Sequence, residues 1–302
     1  MSHSIRISPK IKENESCFRE VFKDCADILF HTMELGRGKT VDCFVIYLEV
    51  AVSNMILEKS VLGKFINELC KVSGDEILER VEKNALGISD AVQLDTVEDV
   101  VAGVFAGDAV FFIDGYAHAV KISEKGYPSM GVSEADREKV LRGSKEGFTD
   151  SVKTNSALIR KRIRNPGMKV KEQTIGRRSQ TKIQILYIEG LARSEILEEL
   201  ETKLSDFEID GVLDSGVIEQ LTKENWLSPF PQFQTTERPD KCAMELLNGR
   251  VVLLVDNSPV GLLIPAVFND FLQVSEDEYQ TFELATFLRV LRYLAVGCAM
   301  LF

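Results

Sequence analysis

The chain has 302 residues, 45% of them hydrophobic and 27% charged, with a formal net charge of −11. That length holds two compact units with a core each. The composition excludes a disordered or low-complexity chain, and the acidic balance excludes general affinity for nucleic acid.

The first sixteen residues lack the apolar core of a secretory signal. Glu13–Leu35 carries Phe18, Val21, Phe22, Cys25, Ile28 and Leu29 at three- and four-residue spacings, which predicts one amphipathic helix ending at Gly36-Arg37-Gly38. Val41–Glu49 reads as a buried strand, and the stretches near Asn54–Leu69 and Gly74–Asn84 as helices. Thr96 followed by Glu98 and Asp99 reads as an N-cap with acids in the first turn of a helix that runs to Gly107. Gly107–Ile122, GDAVFFIDGYAHAVKI, then reads as a strand, a tight turn and a returning strand. Gly126, Pro128 and Gly131 mark a boundary, placing a first α/β unit with its N-terminal helix at 1–130.

From Ser133 a short helix leads to the glycine-flanked segment Arg142–Phe148, after which Thr149–Arg164 reads as a helix stopped by Asn165-Pro166-Gly167. A strand at Met168–Ile175 and a second near Ile185–Glu189 follow, then helices near Glu195–Leu204 and Val217–Lys223. Trp226–Pro239, rich in Pro and Phe, reads as an irregular loop, and Asp240–Leu247 as a helix. Gly249–Ile264, GRVVLLVDNSPVGLLI, repeats the layout of Gly107–Ile122: six residues after the Gly the apolar run has ended and an Asp closes it, Asp114 in one copy and Asp256 in the other. The next residue, Gly115 or Asn257, tolerates positive φ. Val45–Glu49 and Ile185–Glu189 stand about equally far upstream of the two hairpins, so the expectation is an α/β fold with an internal duplication at an offset of about 140 residues, too long for a solenoid repeat. The second unit is placed at 131–274.

The remainder, 275–302, opens with the helix-start signal Ser275-Glu276-Asp277-Glu278 and continues as a stripe of Phe282, Ala285, Leu288, Leu291 and Leu294. Tyr293–Phe302 is uncharged. Ten residues are too few to cross a bilayer, which takes about 20. The tail reads either as a core helix or as a helix leading into a membrane segment, with Arg289 and Arg292 at its cytoplasmic edge.

Candidate functional residues are few. No nucleophile motif, phosphate loop or dinucleotide fingerprint occurs, so no catalytic residue and no cofactor are expected. Six widely spaced cysteines and three histidines give no metal site and fit buried, reduced thiols. Asp114 and Asp256, at strand ends, are ligand candidates, with hydrogen bonding to their own turns as the structural alternative. Arg142, Lys145 and Glu146, beside two glycines in the connecting segment, are candidates for a small-ligand site, and equally for a plain charged turn.

Ala135–Lys182 holds 14 Lys and Arg against 5 Asp and Glu, a local excess of +9 in a chain otherwise at −20. Within it Arg160, Lys161, Arg162 and Arg164 form the basic side of a helix. That side reads as a solvated face, as a contact for anionic membrane or an acidic partner, or, least well for want of interleaved aromatics, as a nucleic-acid contact.

Four ordered segments resemble one family. RGSKEGFTDSVKTNSALIRKRI (142–163), RRSQTKIQILYIEGLA (177–192), RPDKCAMELLNGRVVLLVDNSPVGLLIPAVF (238–268) and SEDEYQ with LRVLRYLA (275–295) are similar to the A subunits of spore germination receptors, the GerA family. Asn257, where Gly is commoner, and Ser144, where Pro is common, are mild departures.

The resemblance implies a non-enzymatic, cytoplasmic N-terminal region of a nutrient receptor in the spore inner membrane. Such a region precedes membrane-spanning helices and works with an integral-membrane B subunit and a lipoprotein C subunit, so that germinant recognition leads to ion release. Membrane lipid, self-association and a nutrient such as an amino acid, sugar or nucleoside are implied as further contacts, and nucleic acid is not. The competing reading is a soluble α/β small-molecule-binding module or enzyme with no membrane part.

Overall fold

The structure, a computed structural model, describes residues 5–50, 61–82, 91–123, 138–139, 143–222, 231–272 and 282–301. The chain divides into two units, Met1–Met130 with Ile163–Val170, and Gly131–Arg162 with Lys171–Phe302.

The first unit runs through helix α1 (Ile11–Val21), strands β1 (Ile28–Leu35) and β2 (Val41–Leu48), and helices α2 (Val61–Cys70) and α3 (Gly74–Glu82). Strand β3 (Ala91–Leu94), helix α4 (Val97–Phe105) and the hairpin β4 (Ala109–Ile113) and β5 (Ala119–Ile122) complete it. The sheet order is β1-β2-β4-β5-β3, and every neighbouring pair is antiparallel. Each face of the sheet is covered. On one, Phe44, Ile46, Leu48, Val110 and Phe112 pack with α1 and α4 through Phe18, Val100, Val104 and Phe105. On the other, Cys43, Val45, Tyr47, Phe111 and Ile113 meet Leu69 and Ile77 of α2 and α3. Burial on both faces explains why β2 and β4 read as unbroken apolar runs rather than as an alternation. Phe44 and Phe112 stack at 4.4 Å, with Phe18 5.1 Å from Phe112. Each buried ring contributes about 1.5–3 kcal/mol of burial.

The single helix expected over Glu13–Leu35 is corrected: α1 ends at Val21 and the rest is β1. Asp24 at φ 56° turns the chain. From Ile28 to Leu35 each residue pairs across to β2, Ile28 with Leu48 through Leu35 with Val41. The pairing partner, invisible to a local period, decides the outcome. Thr96 does cap α4, its hydroxyl accepting the Asp99 N–H at 3.2 Å.

The second unit comprises α5 (Val152–Arg160), β6 (Met168–Ile175, whose residues up to Val170 count with the first unit), β7 (Thr181–Ile188), α6 (Ser194–Ser205), α7 (Ser215–Thr222), β8 (Gln234–Thr236), α8 (Pro239–Leu247), β9 (Val251–Val255) and β10 (Gly261–Ile264). A short 3-10 helix (Phe268–Leu272) and α9 (Phe282–Leu301) follow. Its sheet order is β6-β7-β9-β10-β8. Ile183, Ile185, Tyr187, Val251, Leu253 and Leu262 form a core with α6 and α7 through Leu200, Leu204 and Ile218. The other face carries α5 and α8.

The fold is therefore mixed α/β with two five-stranded antiparallel sheets. The loop expected over Trp226–Pro239 contains β8, which pairs with β10; Trp226 itself lies outside the described residues, as do the turn at Gly126–Gly131, the helix from Ser133 and the start signal at Ser275–Glu278.

Candidate functional site

Asp114 and Asp256 close β4 and β9, but in antiparallel sheets, so the crevice at the carboxyl ends of parallel strands has no counterpart here. Each carboxylate instead accepts an N–H from the first turn of a distant helix: Ile11 N to Asp114 Oδ1 and Val152 N to Asp256 Oδ1, both at 3.0 Å. These are orphan donors that a helix start must satisfy. The surrounding bonds match one for one. Gly115 N donates to Pro9 O and Asn257 N to Asp150 O, each at 2.8 Å, and both residues hold positive φ, 84° and 64°. Asn14 accepts the Ser8 N–H and donates back to Ser8 O, and Asn155 does the same with Thr149.

In the connecting segment Arg142 lies outside the described residues, and Lys145 is exposed. Glu146 is engaged within the protein. Its Oε1 accepts from Lys161 Nζ at 2.9 Å and its Oε2 from Arg162 Nη2 at 2.6 Å. Arg162 also reaches Ser144 Oγ and Leu158 O, at 3.0 and 2.7 Å. Burial works against the Glu146 charge, but the hydrogen bonds and charges of Lys161 and Arg162 outweigh it and hold its pKa below the ordinary carboxylate value.

The basic side of α5 does not survive as a strip of exposed charge. Arg160 is fully buried, at 0% exposure, which removes it from any surface contact. Lys161 and Arg162 are half-buried in the Glu146 clamp, and Arg164 is exposed. Asn155 to Arg160 are all buried, so this part of α5 is covered on every side and Arg160 is enclosed with it.

On α9, Ala285, Leu288, Arg289, Arg292 and Val296 lie on one, partly covered side, and Arg292 Nη1 donates to Leu272 O at 2.8 Å. The opposite side exposes Phe287, Val290 and Leu294. No helix among the described residues is long and apolar enough to cross a membrane.

Two hollows stand out among the described residues. In the first unit a groove of about 520 Å³ lies between α1 and the β1–β2 edge. Lys12, Glu15, Thr32, Glu34 and Asp42 stand around it, while Ile11, Cys43 and Phe44 are themselves buried. The Cys43 thiol, on the other face of the sheet in the core with Leu69 and Ile77, is pushed up to about 12, first by burial and then by the charges of Asp42 and Asp114, so it stays protonated. In the second unit a cavity of about 340 Å³ is lined by Ile196, Leu200, Phe233, Ile264 and Pro265, with the ion-paired Glu199 and Lys203 at its rim.

The groove was not singled out from the sequence. Its signal was the repeat offset, which sets Asp42 against Lys182, Phe44 against Gln184 and Thr32 against Glu172. In the second unit these residues are bonded to one another, Lys182 Nζ to Glu172 Oε1 at 2.8 Å and Gln184 Nε2 to Glu172 Oε2 at 3.0 Å, while Gln184 Oε1 is buried without a hydrogen-bond partner among the described residues. Burial raises the Glu172 pKa, but Lys182, Gln184 and the charge of Lys153 bring it below the ordinary value.

Residues 16–302 match the family profile described as Bacillus/Clostridium GerA spore germination protein. The chain is 34% identical over 296 residues to the membrane protein YfkQ of Bacillus subtilis, covering 97% of this chain and 56% of that protein. It is 30% identical to spore germination protein KA of Bacillus subtilis, covering 96% and 53%, and 36% identical to spore germination protein GerLA of Bacillus cereus, covering 94% and 58%. The chain thus spans little more than half the length of these relatives. Among solved structures, the crystal structure of the N-terminal domain of the A subunit of the Bacillus megaterium spore germinant receptor GerK3 is similar, with a TM-score of 0.66 and 26% identity, covering 88% of this chain and 98% of that one.

Proposed function

Because the chain belongs to the GerA family of spore germination proteins, we propose that it is the N-terminal region of a germinant-receptor A subunit and acts in nutrient-triggered germination without catalysing a reaction. The observation that carries the reading is the match to the GerK3 A-subunit N-terminal domain over 98% of that domain, alongside sequence identity to germination proteins over nearly all of this chain. The wider receptor is part of the same proposal: B and C subunits as partners, the spore inner membrane as location with this region on the cytoplasmic side, a nutrient as trigger and ion release as the output.

We infer further that the two units arose by duplication. The equal strand orders support this, and so do the paired locks at Asp114 and Asp256 and at Asn14 and Asn155, which recur at the offset of about 140 residues. The outward apolar side of α9, with Phe287, Val290 and Leu294 exposed, supports a C-terminal helix that leads to a membrane segment.

The test is genetic. The full-length gene is introduced into a spore-former stripped of its other nutrient receptors, with and without the neighbouring subunit genes, and spores are exposed to a nutrient panel. Restored cation release and loss of refractility in response to at least one nutrient is the expected result. Spores that stay dormant on every nutrient, with the protein present in their membranes, would overturn the proposal.

A further inference from the structure

The polarity of α9 changes at one point. Glu283, Arg289 and Arg292 are its charged residues, and Tyr293–Leu301 has none. An anionic bilayer entered from the N-terminal end of α9 would take the two arginines at its phosphate layer and Tyr293 at the boundary, with the exposed Leu294 below. The short 3-10 helix Phe268–Leu272 is tied to that level, because Arg292 Nη1 donates to Leu272 O at 2.8 Å. Five residues of 3-10 helix rise about 10 Å. Val267 and Phe268 therefore stand no further from the boundary than an interfacial element sinks into it, about 5–10 Å.

The residues of this turn are sorted for such a setting. Val267 and Phe268 face outward, 45% and 49% exposed, while Asp270 faces inward, at 9%. The Asp270 carboxylate accepts two bonds from Arg250, at 2.8 and 2.9 Å, and the Val267 N–H at 2.8 Å. Arg250 in turn reaches Glu245 at 3.1 Å. That fork takes out of reach the one acid of the short helix, which anionic lipid would repel, and it fixes the turn that displays the apolar pair. What is left outside is apolar surface beside two cations, the complement of a negative headgroup layer over acyl chains.

We propose that Val267 and Phe268 insert at the headgroup–acyl boundary of an anionic bilayer beside α9, with Arg289 and Arg292 on lipid phosphates, so that the second unit is docked on the membrane surface as well as tethered to it. The proposal rests on the reading of α9 as a helix that leads to a membrane segment, and it does not depend on the germination role.

The experiment is flotation of the 302-residue chain with vesicles of phosphatidylcholine and phosphatidylglycerol, against vesicles of phosphatidylcholine alone. Binding is expected to be at least tenfold tighter on the anionic vesicles and to weaken with salt. Val267→Ser combined with Phe268→Ser should weaken anionic binding about tenfold and leave the unfolding temperature unchanged, since both side chains are exposed. Leu213→Ser, at a side chain 77% exposed, should leave binding unchanged. Phe268→Trp should add emission, above the Trp226 background of the parent, that lipids brominated near the headgroup quench and lipids brominated at the chain end do not. Equal binding by the parent and the double serine variant, an equal loss in Leu213→Ser, no quenching in Phe268→Trp, or equal affinity for neutral vesicles would each overturn the anchor and leave the entry of α9 intact. A parent chain that floats with neither vesicle, or that self-associates instead, would overturn the anchor and the reading of α9 together. No spore is involved, so the germination test stands or falls by itself.

Discussion

At Glu146 one carboxylate holds two cations, Lys161 and Arg162, and the three side chains are 21–35% exposed. Its pKa is depressed in the fold, so the pair stabilises above the ordinary carboxylate range and loses that contribution as pH falls through the lowered value. Glu146→Gln should therefore cost about 1 kcal/mol at neutral pH, near the upper end for partly exposed pairs. The gap to the parent should narrow as pH falls below the ordinary carboxylate range, about 4.3 for Glu. Urea unfolding at pH 7 and pH 3.5 checks this; a gap that widens in acid would refute it. Glu146 was visible in the sequence as a charged residue between glycines, but not as a clamp, because its partners lie 15 and 16 residues away on the end of α5. Arg160 was misjudged for a related reason. A charged type suggests solvent, and only the packed helix reveals that this position points inward.

The helices α1 and α5 share a device that no single segment displays. Each begins under an Asp carboxylate supplied by a strand more than a hundred residues later, at 3.0 Å in both cases. A negative charge at a helix N-terminus also meets the favourable end of the helix dipole. Asp114→Ala and Asp256→Ala should each destabilise their own unit by about 1–2 kcal/mol, and the Asn variants by less, since an amide oxygen still accepts the bond. Hydrogen exchange at Ile11 and Val152 reads the effect locally: each Ala variant should accelerate exchange in one helix and leave the other protected. Loss of protection in both helices from one substitution would contradict the assignment. The repeated Asp was legible in the sequence because the hairpins align without gaps, but the receiving helix was not, since hydrogen-bond partners across such distances leave no local pattern. The same limit turned β1 into a predicted helix: Ile28 and Leu29 fit the helical spacing, and the pairing with β2 that overrides it is tertiary.

For the molecule as a whole, class and strand content were readable because both sheets are buried on two faces and leave runs such as CFVIYL and VVLLV in the sequence. Chain continuity misleads in one place. Ile163–Val170, far from residues 1–130 in sequence, belongs to the first unit. It is tied there by Ala26 N to Val170 O at 2.9 Å, Val170 N to Asp24 O at 2.8 Å and Lys169 Nζ to Lys23 O at 2.9 Å, with the Cys25 thiol 3.7 Å from Met168 O. These bonds sit at the turn where α1 gives way to β1, next to Phe22, which is buried against Phe105. A fragment that stops at residue 130 leaves the Asp24 carbonyl and the Ala26 N–H without their partners and opens that side of the core. Two backbone bonds and the uncovered apolar surface together amount to roughly 2–4 kcal/mol. A fragment of residues 1–171 should accordingly unfold at higher urea than one of residues 1–130, with a steeper transition because more surface is buried. A synthetic peptide of residues 160–172 added in trans should recover part of the difference. Equal midpoints for the two fragments would show instead that the 163–170 segment only rests on the first unit and contributes nothing to its stability.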